Sequence, residues 1–251
     1  MFLKTQHINP ASFITDIVKN DYRTAEVFRK YGIEYCCGGK WPLEMVCKTK
    51  DIEIKDLTRE LEEASRTVQI PNSLPYQEWD IDFLADYIVH VHHHYLKNQL
   101  PEIKSTLMRF VEEHHEKYSY LQELKKAFLQ LYNEMLPHLQ QEEEIIFPYI
   151  RQITHAFQSR ESYASQLVKM MRKPIKQLMK QEHEMVAGNL FEMRKLTSDY
   201  TPPENACTNH RVTFSRLREL DNDLVQHIHL ENEILFPRAI EMEKILLSMP
   251  L

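Results

Sequence analysis

Glycine is scarce. The 251-residue chain contains 4 glycines, so it has few places for tight turns, and long helices are the expected build. Basic blocks are missing too. The formal net charge is −6, which argues against nucleic acid and anionic membrane surfaces as partners. No apolar stretch approaches the ~18 residues of a spanning helix, and the start, MFLKTQHINP, has no apolar h-region. The expectation is a cytoplasmic protein. Four cysteines in a chain this long do not make a disulfide framework, so reduced thiols are expected.

Histidine and methionine are plentiful instead, at 13 and 11 residues. One sequence pattern occurs twice. HLQQEEEIIFP spans residues 138–148 and HIHLENEILFPRA spans residues 227–239. Both read His, three residues, Glu, two residues, two aliphatics, then Phe-Pro. The stretch VQIPNSLPYQEWD (68–80) carries two prolines and no helical stripe, and it reads as a linker. The chain therefore divides into a small helical domain (1–70), a linker (71–79) and a larger domain (80–251). The larger domain shows four long helical segments, near 79–112, 118–152, 163–199 and 205–246. The paired prolines of TPPENA end the third.

Each long segment has an apolar stripe at alternating spacings of three and four. The first is Val89, His93, Leu96, Leu100, Ile103 and Leu107. The second is Leu131, Met135, His138, Glu142, Ile145 and Tyr149. The third is Met179, His183, Val186, Leu190 and Met193, and the fourth is Leu220, Leu224, His227, Glu231 and Ile234. A histidine interrupts every stripe. The successive intervals, His93 to His138, His138 to His183 and His183 to His227, are 45, 45 and 44 residues. In an up-down bundle of near-equal helices this puts the four imidazoles at one level, with the glutamates one turn, about 6 Å, further along.

Burying six such groups without a partner would be very unfavourable. A lone histidine on an apolar face is most often a satisfied core residue, but that reading does not explain four helices interrupted at one level. A shared metal site does. Imidazole and carboxylate together suit iron, manganese or zinc, and two carboxylates able to bridge describe a dinuclear centre. The expected ligands are His93, His138, Glu142, His183, His227 and Glu231. His92 and His94 sit about 100° either side of the first stripe. His90 is a reserve ligand, and His114 is a weaker candidate. His229 faces away from the stripe, and His7, His155 and His210 are expected on the surface. Glu134 and Glu182 could orient ligand imidazoles, lie on an iron path, or be solvated. Pro137 should bend the second helix just before His138.

The doubled motif resembles the hemerythrin-like domain. With FRKYGIEYCCGGK upstream at 28–40, the chain is similar to the Repair of Iron Centres family, the di-iron iron–sulfur cluster repair proteins. QLPE, EEEIIFP, QEHE, TPPENAC and LENEILFPRA extend the likeness over nearly the whole chain. The resemblance implies the same six ligands, two non-haem iron ions with Mn or Zn as substitutes, and repair of clusters damaged by nitric oxide or peroxide. It implies an iron donor rather than an enzyme in the usual sense. Damaged or apo iron–sulfur proteins are the expected partners, and a homodimer is left open. Cys36 and Cys37 become a candidate thiol transfer pair, while Cys47 and Cys207 read as structural. Two further readings stay open: a carrier or sensor of oxygen or nitric oxide, and an oxidoreductase acting on nitric oxide or peroxide.

Overall fold

The computed structural model describes residues 3–4, 7–35, 41–65, 67–68, 74–159, 164–171 and 175–248. By its contacts the chain divides into two units, 1–74 with 200–218, and 75–199 with 219–251. The sequence division put all of 80–251 together. The contacts group 200–218 with the N-terminal residues instead.

In the first unit, α1 (Ile14–Asn20), α2 (Thr24–Lys30), α3 (Leu43–Lys50) and α4 (Ile54–Ala64) surround an apolar core. Ile14, Phe28, Leu43, Leu57 and Leu61 are fully buried there, and Val212 joins them. A two-residue antiparallel ladder pairs β1 (Leu3–Lys4) with β2 (Thr67–Val68). The end of α2 needs a glycine. Gly32 has φ +62°, its N–H bonds Arg29 O at 3.0 Å, and Ile33 N–H bonds Phe28 O at 2.8 Å. This is the Schellman closure, with Ile33 and Phe28 both buried beneath it.

The second unit is an all-α four-helix bundle. Its first rod is α5 (Ile81–Tyr87), a π-helical segment (Ile88–His93) and α6 (His94–His114). The second is α7 (Leu121–Gln141), a π-helical segment (Glu142–Ile146) and α8 (Phe147–Ser159). The third region holds α9 (Ala164–Met171) and α10 (Ile175–Thr197), both within the segment expected near 163–199. The fourth is α11 (Thr208–His229), a π-helical segment (Leu230–Leu235) and α12 (Phe236–Ser248). The second half of α11, from Glu219, counts with the bundle. Helix α7 packs against both α6 and α10.

The apolar stripes bury as their spacing requires. Leu96, Leu100, Leu107, Leu131, Met193, Leu220 and Leu224 are 0% exposed. Each such side chain contributes roughly 1.5–3 kcal/mol by leaving water. Two stripe residues depart: Val89 is only half-buried, beside the fully buried Ile88, and Ile145 departs further. Ile145 is 44% exposed and Ile146 is buried, because the π-helical turn at Glu142–Ile146 is wider than the α-turn behind the pattern. Pro137 does not end its helix, since α7 continues through it to Gln141. Three successive non-glycine residues after α10, Ser198, Asp199 and Tyr200, adopt left-handed φ values of 50°, 57° and 53°. Among the described residues no helix is long and apolar enough to cross a membrane.

Candidate metal centre

Three rods switch to π-helix at the bundle level where the polar residues gather. Such turns widen the helix locally and recur at functional sites. His93 closes the first π segment, Glu142 opens the second, and Glu231 is the second residue of the third. His138 and His227 each lie one turn before a glutamate, and His183 comes from α10.

The six side chains meet. His93, Glu142, His227 and Glu231 form one group whose donor atoms lie within 4.8 Å of one another, and His138, Glu142, His183 and Glu231 form a second. All six are buried, with His93, Glu142, His227 and Glu231 at 0% exposed. The two carboxylates belong to both groups, and each divides its oxygens between them. Glu142 Oε2 lies 3.4 Å from His93 Nε2 and 3.9 Å from His227 Nε2. Glu142 Oε1 lies 3.3 Å from His138 Nε2 and 3.8 Å from His183 Nε2. Glu231 Oε1 is 3.0 Å from His227 Nε2 and 4.0 Å from His93 Nε2, while its Oε2 is 3.5 Å from His183 Nε2. Two imidazole pairs thus face each other across two shared carboxylates.

Acceptors outside the cluster orient three of the four rings. His93 Nδ1 donates to Glu143 Oε1 at 2.8 Å, His138 Nδ1 to Glu182 Oε2 at 2.5 Å, and His183 Nδ1 to Asn232 Oδ1 at 2.9 Å. An oxygen acceptor on Nδ1 keeps the proton there and turns the Nε2 lone pair inward, as metal-binding imidazoles require. Lys97 in turn holds Glu143 through contacts of 2.6 and 2.8 Å. Burial opposes the charge on Glu143, but Lys97 and His93 keep its pKa below the usual carboxylate range.

Within the cluster the imidazoles and carboxylates shift one another's protonation. Burial disfavours charge on His93, yet the close approach and negative charge of Glu142 and Glu231 outweigh it and raise its pKa to about 10. The same contest raises His183, where burial lowers and Glu142 raises. Burial and the mutual repulsion of Glu142 and Glu231 push the carboxylates up, but the surrounding imidazoles hold both below the ordinary range. Both oxygens of Glu142, Oε2 of Glu231, and Nε2 of His138 and His183 are buried without a hydrogen-bond partner among the described residues. Each such group costs about 1–3 kcal/mol when left unsatisfied. A donor set of imidazole nitrogens and carboxylate oxygens with inward lone pairs fits a borderline divalent cation.

Two family models match the chain. Residues 84–239 match the hemerythrin HHE cation-binding domain, and residues 11–65 match a domain of unknown function (DUF542). Relatives match over most of their length. The chain is 33% identical to the iron–sulfur cluster repair protein YtfE of Enterobacter sp. (strain 638), over 91% of this chain and 96% of that one. It is 31% identical to YtfE of Pectobacterium atrosepticum and 32% identical to YtfE of Escherichia coli O17:K52:H18, each over 88% of this chain and 93% of the relative. The chain belongs to the iron–sulfur cluster repair family. The hemerythrin model spans every residue of the cluster, and the DUF542 model spans the Cys-Cys segment.

The other residues singled out from this family member's sequence fall as follows. Cys36 and Cys37 lie outside the described residues. Glu34 and Trp41, on either side of that segment, line a groove of about 450 Å³ with Ile33, Met45 and Val46. Cys47 is buried, and burial with the nearby Glu53 charge raises its pKa, so its thiol stays protonated. His90 and His114 belong to neither cation group; His90 is exposed, and His114 packs on Phe110 at a ring separation of 4.9 Å. His210, expected on the surface, is fully buried and packs edge-on against Phe214 at 4.4 Å. His92, placed off the stripe by α-helical spacing, is 2% exposed because of the π-helical turn. Its partner Asp223, the Glu143 acceptor and the Asn232 acceptor were not anticipated. Asp223 alone had a sequence signal, since it stands four residues before His227 just as Glu134 stands four before His138.

Proposed function

We propose that the protein holds two metal ions, iron in the cell, and donates iron to damaged or apo iron–sulfur proteins during repair after nitrosative or oxidative stress. The observation that carries the dinuclear reading is the division of each carboxylate's oxygens between two imidazole pairs. His93 and His227 would serve one ion, His138 and His183 the other, with Glu142 and Glu231 shared. Several relatives are iron–sulfur cluster repair proteins by name, which supports iron as the metal and cluster repair as its use.

The donor set explains how iron could be both held and released. Four neutral imidazoles and two carboxylates carry little compensating charge, so ferric iron is held less tightly than in a carboxylate-rich site. Bound iron supplies the cargo for cluster rebuilding. The chain's own groups orient the donors: Glu143, Glu182 and Asn232 keep three Nδ1 protons outward. Cys36 and Cys37 act in delivery rather than in assembling the centre, because the bundle already supplies a full set of donors.

The test begins with elemental analysis of chain purified from iron-replete cells, where close to two irons per chain are expected. Iron-loaded chain is then mixed with an apo cluster protein and a cysteine sulfur source, and cluster formation is followed. Cys36→Ser with Cys37→Ser should keep the iron content and slow the transfer. Two irons with no transfer under any thiol condition would leave a dinuclear centre and remove the donor role.

A further inference from the structure

A π-helical turn buries His92. On a regular helix adjacent residues point about 100° apart, which puts His92 well off the stripe that His93 occupies. The π segment Ile88–His93 turns both inward, at 2% and 0% exposed. His92 belongs to neither cation group. Its Nδ1 contacts Asp223 Oδ1 at 2.9 Å. Its ring lies between Tyr87, edge-on at 5.7 Å, and His227, stacked at 5.9 Å with 20° between the planes.

His227 is the exception among the four imidazoles of the centre. Its Nδ1 is buried and has no hydrogen-bond partner among the described residues, while the other three have oxygen acceptors there. Two more buried polar atoms in the same position lack a partner among the described residues: Asp223 Oδ2 and His92 Nε2. Asp223 stands one turn before His227 on α11, on the same helix face, but its carboxylate pairs with His92 and makes no hydrogen bond or ion pair with His227 here. An imidazole that binds metal through Nε2 carries its proton on Nδ1, and that proton needs an acceptor.

We infer that when the centre holds metal Asp223 turns its second carboxylate oxygen to accept the Nδ1 proton of His227, and that His92 anchors Asp223 and braces the His227 ring. Asp223 and His92 are then positioning residues for one half of the centre, matching what Glu182 does for His138 in the other half. The inference rests on the reading of the cluster as a two-metal centre. It adds a carboxylate–imidazole pair on the opposite side of His227 from the ions. It also explains why the chain buries a second histidine beside a ligand.

Zinc is the probe, because it is diamagnetic and suits the donors. Full-length chain with 15N-labelled histidine is loaded with zinc, and affinities are measured by chelator competition. Wild type should take up two zinc ions per chain, and a failure here sinks the two-metal reading itself. Given two ions, Asp223→Ala should weaken one of them by roughly 10–100-fold and leave the other unchanged. It should also abolish the slowly exchanging Nδ1–H signal of His227. Asp223→Asn keeps an acceptor oxygen and should restore the signal and part of the affinity; this variant carries the test if the alanine variant does not fold. His92→Phe keeps the ring stack but loses the anchor, and should shift the same signal with a smaller loss of affinity. A purely structural role would lower thermal stability and leave the signal in place. The inference is overturned if both affinities and the His227 signal are unchanged in the Asp223 variants, or if both ions weaken equally.

Discussion

The two copies of the duplicated motif began as the same sequence problem and have different solutions around them. In the first copy, His138 and Glu142 are supported from another helix, with Glu182 of α10 on the His138 Nδ1 at 2.5 Å. In the second, the His92 ring stacks on His227, and Asp223, which holds His92 at 2.9 Å, is the acceptor inferred for the His227 Nδ1. The inner faces are alike: both glutamates are fully buried, both open onto both imidazole pairs, and both occur in π-helical turns. Duplication fixed what points inward. The neighbours that happen to pack on each copy fixed the outer support.

The largest effect should come from a change that ignores the distinction between copies. Glu142→Ala and Glu231→Ala each remove an oxygen from both proposed ions, so each should lose most bound metal, measured as metal per chain. His93→Ala removes one donor from one ion and should lose less. The bundle should fold in all three, because the apolar stripes are untouched. A Glu231→Ala protein with full metal content and unchanged absorption would show that the carboxylates do not bridge.

The next effect should separate the copies. Glu182→Gln weakens the support of His138 only, and one ion should bind roughly 10–100-fold less tightly. In a double variant with Asp223→Asn the losses should fall on different ions and add, as they do for separate sites. Loss of the same ion in both single variants would mean that the outer supports do not belong to separate halves.

A pH series sharpens the contrast between metal-free and metal-loaded protein. The folded-state pKa of His93 is raised from 6.5 to about 10, so the metal-free chain binds a proton that unfolding releases across that interval. This contribution to stability is complete below about pH 6.5 and is lost as pH rises toward 10. Thermal unfolding of metal-free protein should therefore show a falling midpoint over that range. His93→Leu should flatten the slope, and bound metal should abolish it by displacing the proton. An equal slope in His93→Leu would assign the effect to other groups.

The smallest effect should lie in the first unit, apart from the comparison. Gly32→Ala forces a Cβ into left-handed φ with open space around it, so only backbone strain remains, about 1 kcal/mol. Urea unfolding should show that loss with metal content unchanged.

Much of the bundle was legible because helix geometry is periodic. Near-equal intervals between His93, His138, His183 and His227 place residues at one level without any knowledge of contacts, and the six residues proposed as ligands are the six that meet. The same periodicity failed where the helix is not an α-helix. Ile145 turned outward and His92 inward because π-helical turns change the angle between successive side chains, and no spacing rule for a regular helix predicts where a turn widens. The Cys36–Cys37 pair, the clearest feature of the first 70 residues, falls outside the described residues and is carried only as a proposal.

The sequence by itself determined the helices, their inward stripes, the level of the histidines and the duplicated donor motif. These are properties of single helices, set by residue spacing along one axis. Only the tertiary structure decided which acceptor meets each Nδ1, that His92 is buried, and that each carboxylate divides its oxygens. His138 and Glu182 are 44 residues apart and His92 and Asp223 are 131 apart. Pairings of that kind depend on how whole helices rotate and pack against one another, which no local pattern encodes.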